Sequence, residues 1–158
     1  MVITMPGSDL TETFVGARII KDTYPDLPII VLTPFSKEVS RRLANEDFTG
    51  IDYVFSWLGN VDLLLAIIKL MEDKLNADND INEVGVQMIM LVEDSVRFYS
   101  SVLPHLYKFL LKQSLVFSTE ALNEHEQMLR MRGRPKVMLA RDYEEAGGLE
   151  WWFGVKVV

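Results

Sequence analysis

The segment Val86-Gln-Met-Ile-Met-Leu-Val-Glu-Asp-Ser95 decides how the chain is read, because an apolar run stops at two adjacent carboxylates and an amphipathic segment starts at once. A short apolar run that gives way to helix periodicity predicts a strand over 86–92 feeding a helix from Ser95 to about Gln113. Tyr99, Val102, Leu103, Leu106, Tyr107 and Leu110 share one face of that helix, and Pro104 inside it predicts a kink or a shortened first half. A more solvated helix rich in Glu, Gln and Arg follows from about Thr119 to Arg132. Gly133 and Pro135 then lead into a strand, Lys136-Val-Met-Leu-Ala140. Asp142 to about Ala146 starts a helix that Gly147-Gly148 weakens, and Gly154–Val158 reads as a last strand.

Upstream, the same alternation runs from the first residues. Val2-Ile-Thr-Met5 reads as the end of a strand closed by Pro6-Gly7. Ser8 or Asp9 caps a helix with Leu10, Phe14, Ala17 and Ile20 at spacings of three and four, ended by Pro25 and Pro28. Ile29-Ile-Val-Leu-Thr33 is continuously apolar, as in a parallel strand buried on both faces. A charged helix from Ser36 to about Asp47, a strand Tyr53-Val-Phe-Ser56 and a helix from Val61 to about Asn76 complete the first half. Residues 76–84, Asn-Ala-Asp-Asn-Asp-Ile-Asn-Glu-Val, are polar and acidic and read as a linker. Strands alternating with helices predict an α/β fold with a parallel sheet, helices on both faces, and functional groups beyond the carboxyl ends of the strands. By this reading Glu93, Asp94, Thr33 and Ser56 all sit there.

The composition bounds the function. With 158 residues, 49% hydrophobic and 25% charged, the chain has the profile of a globular protein with enough surface for one ordinary core. No apolar run spans a bilayer, no signal-peptide pattern opens the chain, and the absence of cysteine excludes a disulfide framework or thiolate metal site. A cytoplasmic protein without membrane partners is expected. The net charge of −7 argues against general affinity for nucleic acid, which rewards a basic surface. His105 and His125 are isolated, and His125-Glu126 lacks the second histidine of a zinc-protease helix.

The motif order resembles bacterial response-regulator receiver domains, the phosphoacceptor modules of two-component signalling. Leu91-Val-Glu-Asp-Ser95 is similar to the acidic pair after their first strand, and Met5-Pro6-Gly7 to the triplet that trails the phosphorylated aspartate. Leu27-Pro-Ile-Ile-Val-Leu-Thr33 resembles the fourth strand with its switch threonine. Asp52-Tyr-Val-Phe-Ser56 resembles the fifth strand, with Tyr53 at the switch aromatic, and Asp142-Tyr-Glu-Glu-Ala146 the start of the second helix. The order is that of a tandem pair: residues 1–75 the C-terminal half of one receiver, 76–85 a linker, and 86–158 the N-terminal half of the next. Residues 114–134 are longer than a receiver places between its first helix and second strand.

Three departures bear on what the resemblance implies. Val2 stands at the phosphoacceptor position, Ser56 replaces the phosphate-contacting lysine, and Trp57 replaces the proline after it. The resemblance therefore implies a pseudo-receiver, not an enzyme, acting through contacts with a histidine kinase or other signalling protein, or as a homodimer. It implies Mg²⁺ at Glu93 and Asp94 in a longer parent and none held tightly by this chain. Against it stand the plainer roles: Asp94 or Ser95 as a helix cap, Thr33 as a helix-starting residue, Tyr53 as a packed aromatic. A regulatory region attached to a catalytic module is the alternative, followed by a free-standing flavodoxin-like enzyme, which the lack of a glycine-rich phosphate loop disfavours. The two halves are complementary, so one compact five-stranded sheet, flavodoxin-like and assembled in permuted order, is expected. It would form within the chain or by exchange of halves in a dimer.

Overall fold

The computed structural model of the chain describes residues 1–6, 10–34, 50–119 and 133–153. Two compact units result, Met1–Asn60 and Val61–Val158.

In the first unit, β1 (Val2–Thr4), β2 (Ile29–Thr33) and β3 (Tyr53–Ser56) form a parallel sheet in the order β1-β2-β3. Val2 pairs with Ile29, Ile30 with Tyr53, and Thr33 with Ser56. All of β2 and β3 is buried, which is why both read as apolar runs between chain breakers. Helix α1 (Leu10–Thr23) joins β1 to β2 and buries Phe14 and Ala17. Asp52 ties the amino ends of the strands together: its Oδ2 accepts from the Ile29 N–H at 2.8 Å and pairs with Lys21 Nζ at 2.9 Å, while its own N–H donates to the Ile29 carbonyl. Gly50 reaches this lead-in at φ +100°, and a Cβ there would lie 3.2 Å from the backbone nitrogen of Arg18 on α1. Only glycine meets both the dihedral and the close approach.

The second unit contains α2 (Val61–Ala77), β4 (Met88–Val92), α3 (Val96–Thr119), β5 (Lys136–Ala140) and α4 (Tyr143–Phe153). β4 and β5 are parallel, Met88 opposite Lys136 through Val92 opposite Ala140. The stripe Leu63, Ala66, Ile67, Leu70 and Met71 of α2 is buried, and α2 packs on both β5 and α3. Tyr99, Leu103, Tyr107 and Leu110 bury the opposing face of α3, which runs unbroken through Pro104.

Several expectations change here. Among the described residues the strands form two sheets, of three and of two, in place of the expected single five-stranded sheet; the chain is α/β with small parallel sheets. β1 bonds to β2 and β4 to β5, so each sheet keeps its own half of the strands. The linker expected over 76–85 is ordered chain: Asp78–Glu83 continues α2 as a π-helical turn, with the Val84 N–H donating to the Asn79 carbonyl five residues back. Gly85 at φ +75° ends it, as glycine does at helix C-termini. The division between units falls before α2, because α2 packs on β5. Helix α4 continues through Gly147-Gly148, started by Asp142 Oδ1 accepting from the Glu145 N–H at 2.7 Å, with Glu145 Oε2 accepting from the Arg141 N–H. That reciprocal bonding at the first turn offsets the glycine cost. The Pro6-Gly7 turn, the Ser8/Asp9 cap, the helix 36–47, the solvated helix 119–132 apart from its first residue, and the tail strand 154–158 lie outside the described residues. Among the described residues no helix is long and apolar enough to cross a membrane.

Replacing Ile30, which is fully buried, by alanine is expected to cost roughly 2–5 kcal/mol in urea unfolding. Gly50→Ala is expected to cost more than about 1 kcal/mol, through strain at positive φ. A Gly50→Ala variant as stable as the parent would show that the close approach to α1 relaxes freely.

Candidate functional site

The acid pair sits where the sequence puts it, just past the carboxyl end of β4. The Glu93 N–H donates to the Ala140 carbonyl at 2.9 Å and so extends the ladder by one bond. Glu93 Oε1 accepts from the Ser95 N–H at 3.0 Å, and Ser95 Oγ accepts from the Phe98 N–H at 3.3 Å. Ser95 is thus the N-cap of α3, bonding its third helical residue, with Glu93 favouring the positive end of the helix. Asp94 is exposed. On the neighbouring strand Asp142 caps α4 in the same way. Among the described residues no group of three or more His, Asp or Glu side chains is arranged to hold a metal ion. The pair offers an exposed carboxylate at Asp94 and one at Glu93 already engaged with a backbone amide.

At the carboxyl ends of β2 and β3, Thr33 and Ser56 are register partners and both are buried. The Thr33 carbonyl accepts from the Trp57 N–H at 2.9 Å, and its hydroxyl donates to the Pro34 carbonyl at 3.3 Å. Tyr53 opens β3 opposite Ile30, buried, with its ring 6.2 Å from that of Phe55. Val2 does not join this group. It opens β1 at the amino end, opposite Ile29, and its N–H donates to the Pro28 carbonyl at 2.8 Å. Thr33 lies four residues further along β2, about 13 Å away at the rise of a parallel strand. Motif spacing puts Val2 at the phosphoacceptor position, whereas the register sets it beside Ile29; continuing that register brings Pro6 level with Thr33.

The most strongly built cluster was not anticipated from the sequence. Asp73 of α2 is fully buried and lies at the amino end of β5. Arg134 grips it with both terminal nitrogens, Nη2 to Oδ1 at 2.6 Å and Nη1 to Oδ2 at 2.9 Å. The Tyr107 hydroxyl donates to Oδ2 at 2.9 Å, as does the Val137 N–H at 3.0 Å. Lys136, also buried, pairs with Asp80 of the π-turn at 2.7 Å and lies 3.9 Å from Asp73. The Arg134 guanidinium also stands 5.7 Å from the Tyr107 ring centroid, within cation–π reach. Burial and the Asp73 charge push the Tyr107 hydroxyl far above the ordinary tyrosine value. Burial would lower the Arg134 pKa, but the bond to Asp73 and its charge outweigh this and hold it above the usual value. A cavity of about 550 Å³ opens beside the cluster, with Lys69, Glu72, Asn76, Asp80, Arg134 and Lys136 among its lining residues.

A signal for this cluster was present. Leu63, Ala66, Leu70, Asp73 and Ala77 follow spacings of three and four on the buried stripe of α2, so an acid interrupts an apolar face. Its partner, Arg134, is held between Gly133 and Pro135 some sixty residues later, a distance no local pattern bridges. Comparison with family models, with curated proteins and with solved structures finds no match for the chain.

Asp73→Asn leaves the Arg134 charge buried without its counter-ion, with an expected cost of about 3–5 kcal/mol in chemical denaturation. Tyr107 carries a pH signature. Its folded pKa lies above the unfolded value of 10.0, so the folded state keeps a proton that the unfolded chain loses, and stability falls as pH rises past that value. Tyr107→Phe is expected to flatten this alkaline decline in thermal melts; a decline of equal slope in the variant would place its origin elsewhere.

Proposed function

We propose that the chain is a receiver-like regulatory region of a two-component signalling protein, which works through contacts with a histidine kinase or another signalling protein and accepts no phosphoryl group itself. The observation that carries the reading is the strand order. β1, β2 and β3 are adjacent in sequence order and β4 lies beside β5, with parallel pairing within each sheet. That is the neighbour pattern of a flavodoxin-like sheet, in which the first strand lies beside the second and the last three are consecutive. The acid pair heads α3 at a carboxyl strand end, the position where such sheets gather functional groups. At the equivalent ends of β2 and β3 the side chains are Thr33 and Ser56, neither of them a phosphoacceptor carboxylate nor a lysine.

In this reading Asp94 is the carboxylate that would meet a hard cation, with Glu93 orienting the helix start. A phosphoryl chemistry needs a further acceptor carboxylate and a cation opposite it, and neither Thr33 nor Ser56 at the carboxyl ends of β2 and β3 supplies one. No catalytic role is assigned to any residue.

Incubation with acetyl phosphate and Mg²⁺, followed by intact-mass measurement, is expected to leave the chain unmodified. A stable aspartyl phosphate on any residue would overturn the pseudo-receiver reading, and mapping it to Asp94 or Asp142 would redefine the site.

A further inference from the structure

Helix α3 has two apolar faces, and the described residues bury one of them. Tyr99, Leu103, Tyr107 and Leu110 are buried. On the far side, Phe98 and Phe109 are 52% and 57% exposed, His105 is exposed and Val102 is half-buried. The positions 98, 102, 105 and 109 follow spacings of four, three and four, which keeps them in one narrow stripe over three turns. Exposed aromatic residues repeated at that spacing match the seam by which one helix receives another. Single exposed apolar residues need no explanation, but an aligned set does.

The charge beside the stripe selects its occupant. Residues 96–119 contain no Asp or Glu, although the whole chain carries a net charge of −7. Lys108 and Lys112 are exposed along one side of the stripe, and Arg97 is exposed on the same side. We propose that this face docks an amphipathic helix of a protein partner, with apolar residues at three- and four-residue spacing and carboxylates along one side. A second copy of α3 fits less well. It brings no carboxylate in either direction, and antiparallel two-fold pairing sets the lysines of both copies on the same flank. A lipid surface is matched by a broad apolar face with basic residues on both borders, whereas this stripe is narrow, interrupted by His105, and basic on one side.

The inference deepens the reading of the chain as a protein-contact module and rests on that part of it. It uses neither the acid pair nor phosphorylation, so the mass measurement above and the binding test fail independently. The probe is a synthetic helical peptide of Leu at three- and four-residue spacing with Glu on one flank, followed by fluorescence anisotropy. Its counterpart carries Lys in place of Glu, and phosphatidylserine vesicles and sedimentation of the chain alone complete the set. The acidic peptide is expected to bind in preference to the basic one, with Phe98→Ser or Phe109→Ser each weakening binding about tenfold or more, as for central anchors. The double variant Lys108→Glu, Lys112→Glu is expected to lose the acidic peptide and gain the basic one. Thermal melts of all variants are expected to match the parent, since the substituted side chains are exposed. Equal binding of both peptides overturns the proposal, as does vesicle binding without peptide binding, or self-association abolished by Phe98→Ser. Melting temperatures lowered by the Phe variants overturn it too, because they would show the stripe packed within the chain.

Discussion

A single buried carboxylate organises the second unit. Asp73 gathers groups from four segments: the helix that carries it, Tyr107 from α3, Arg134 from the chain before β5, and the first free amide of β5 at Val137. An isolated carboxylate at that depth is prohibitively costly, and the cost is met because both oxygens accept hydrogen bonds and a guanidinium faces them in a two-pronged grip. The arrangement is therefore all or nothing. Removing any donor leaves charge in a medium that cannot solvate it, which makes the relative placement of α2, α3 and β5 specific in a way that packing Leu70 against Leu103 alone would not.

The first unit solves the same problem with weaker means. Asp52 accepts the Ile29 amide at the start of β2 and pairs with Lys21 of α1, but both side chains keep about a quarter of their exposure or less. Solvent screens that pair, so its contribution is small beside the burial of β2. In both units a carboxylate accepts a backbone amide at the amino end of a strand, and a cation from elsewhere neutralises it. The amino ends of the strands are thereby tied, and the carboxyl ends are left to Thr33, Ser56, Glu93 and Asp94.

Much of the local structure was legible in the sequence, and its limits were physical. Ile29–Thr33, Tyr53–Ser56 and Lys136–Ala140 are strands at the expected bounds, because each is a short apolar run between glycines, prolines or polar residues. The acid pair was legible for the same reason, as the first polar residues after such a run. Residues 76–84 were not, since a polar acidic segment reads alike as a loose linker or as a solvated helical turn. What fixes it is Asp80 meeting Lys136 fifty-six residues later. The placement of Val2 depended on register, and motif spacing carries no register: Met5-Pro6-Gly7 counts back to Val2, yet the ladder sets Val2 against Ile29.

Burial of the strands shows where pattern reading stops. The apolar runs in β2, β3 and β5 are buried throughout, while β1 is half-buried and so is β4 up to the exposed Val92, although Met88-Ile-Met-Leu-Val92 is as apolar as any of them. An apolar run states that a strand gains by burial; it does not say which neighbour provides it. That depends on the elements that cover each face and on the ladder at each edge, both set by residues far away in sequence. Hence the five described strands were each legible in the sequence, while their division into sheets of three and two was not. The same reasoning holds for α3, where the sequence marks one apolar face, and the exposure of Phe98 and Phe109 beyond it shows only once α2 packs over that face.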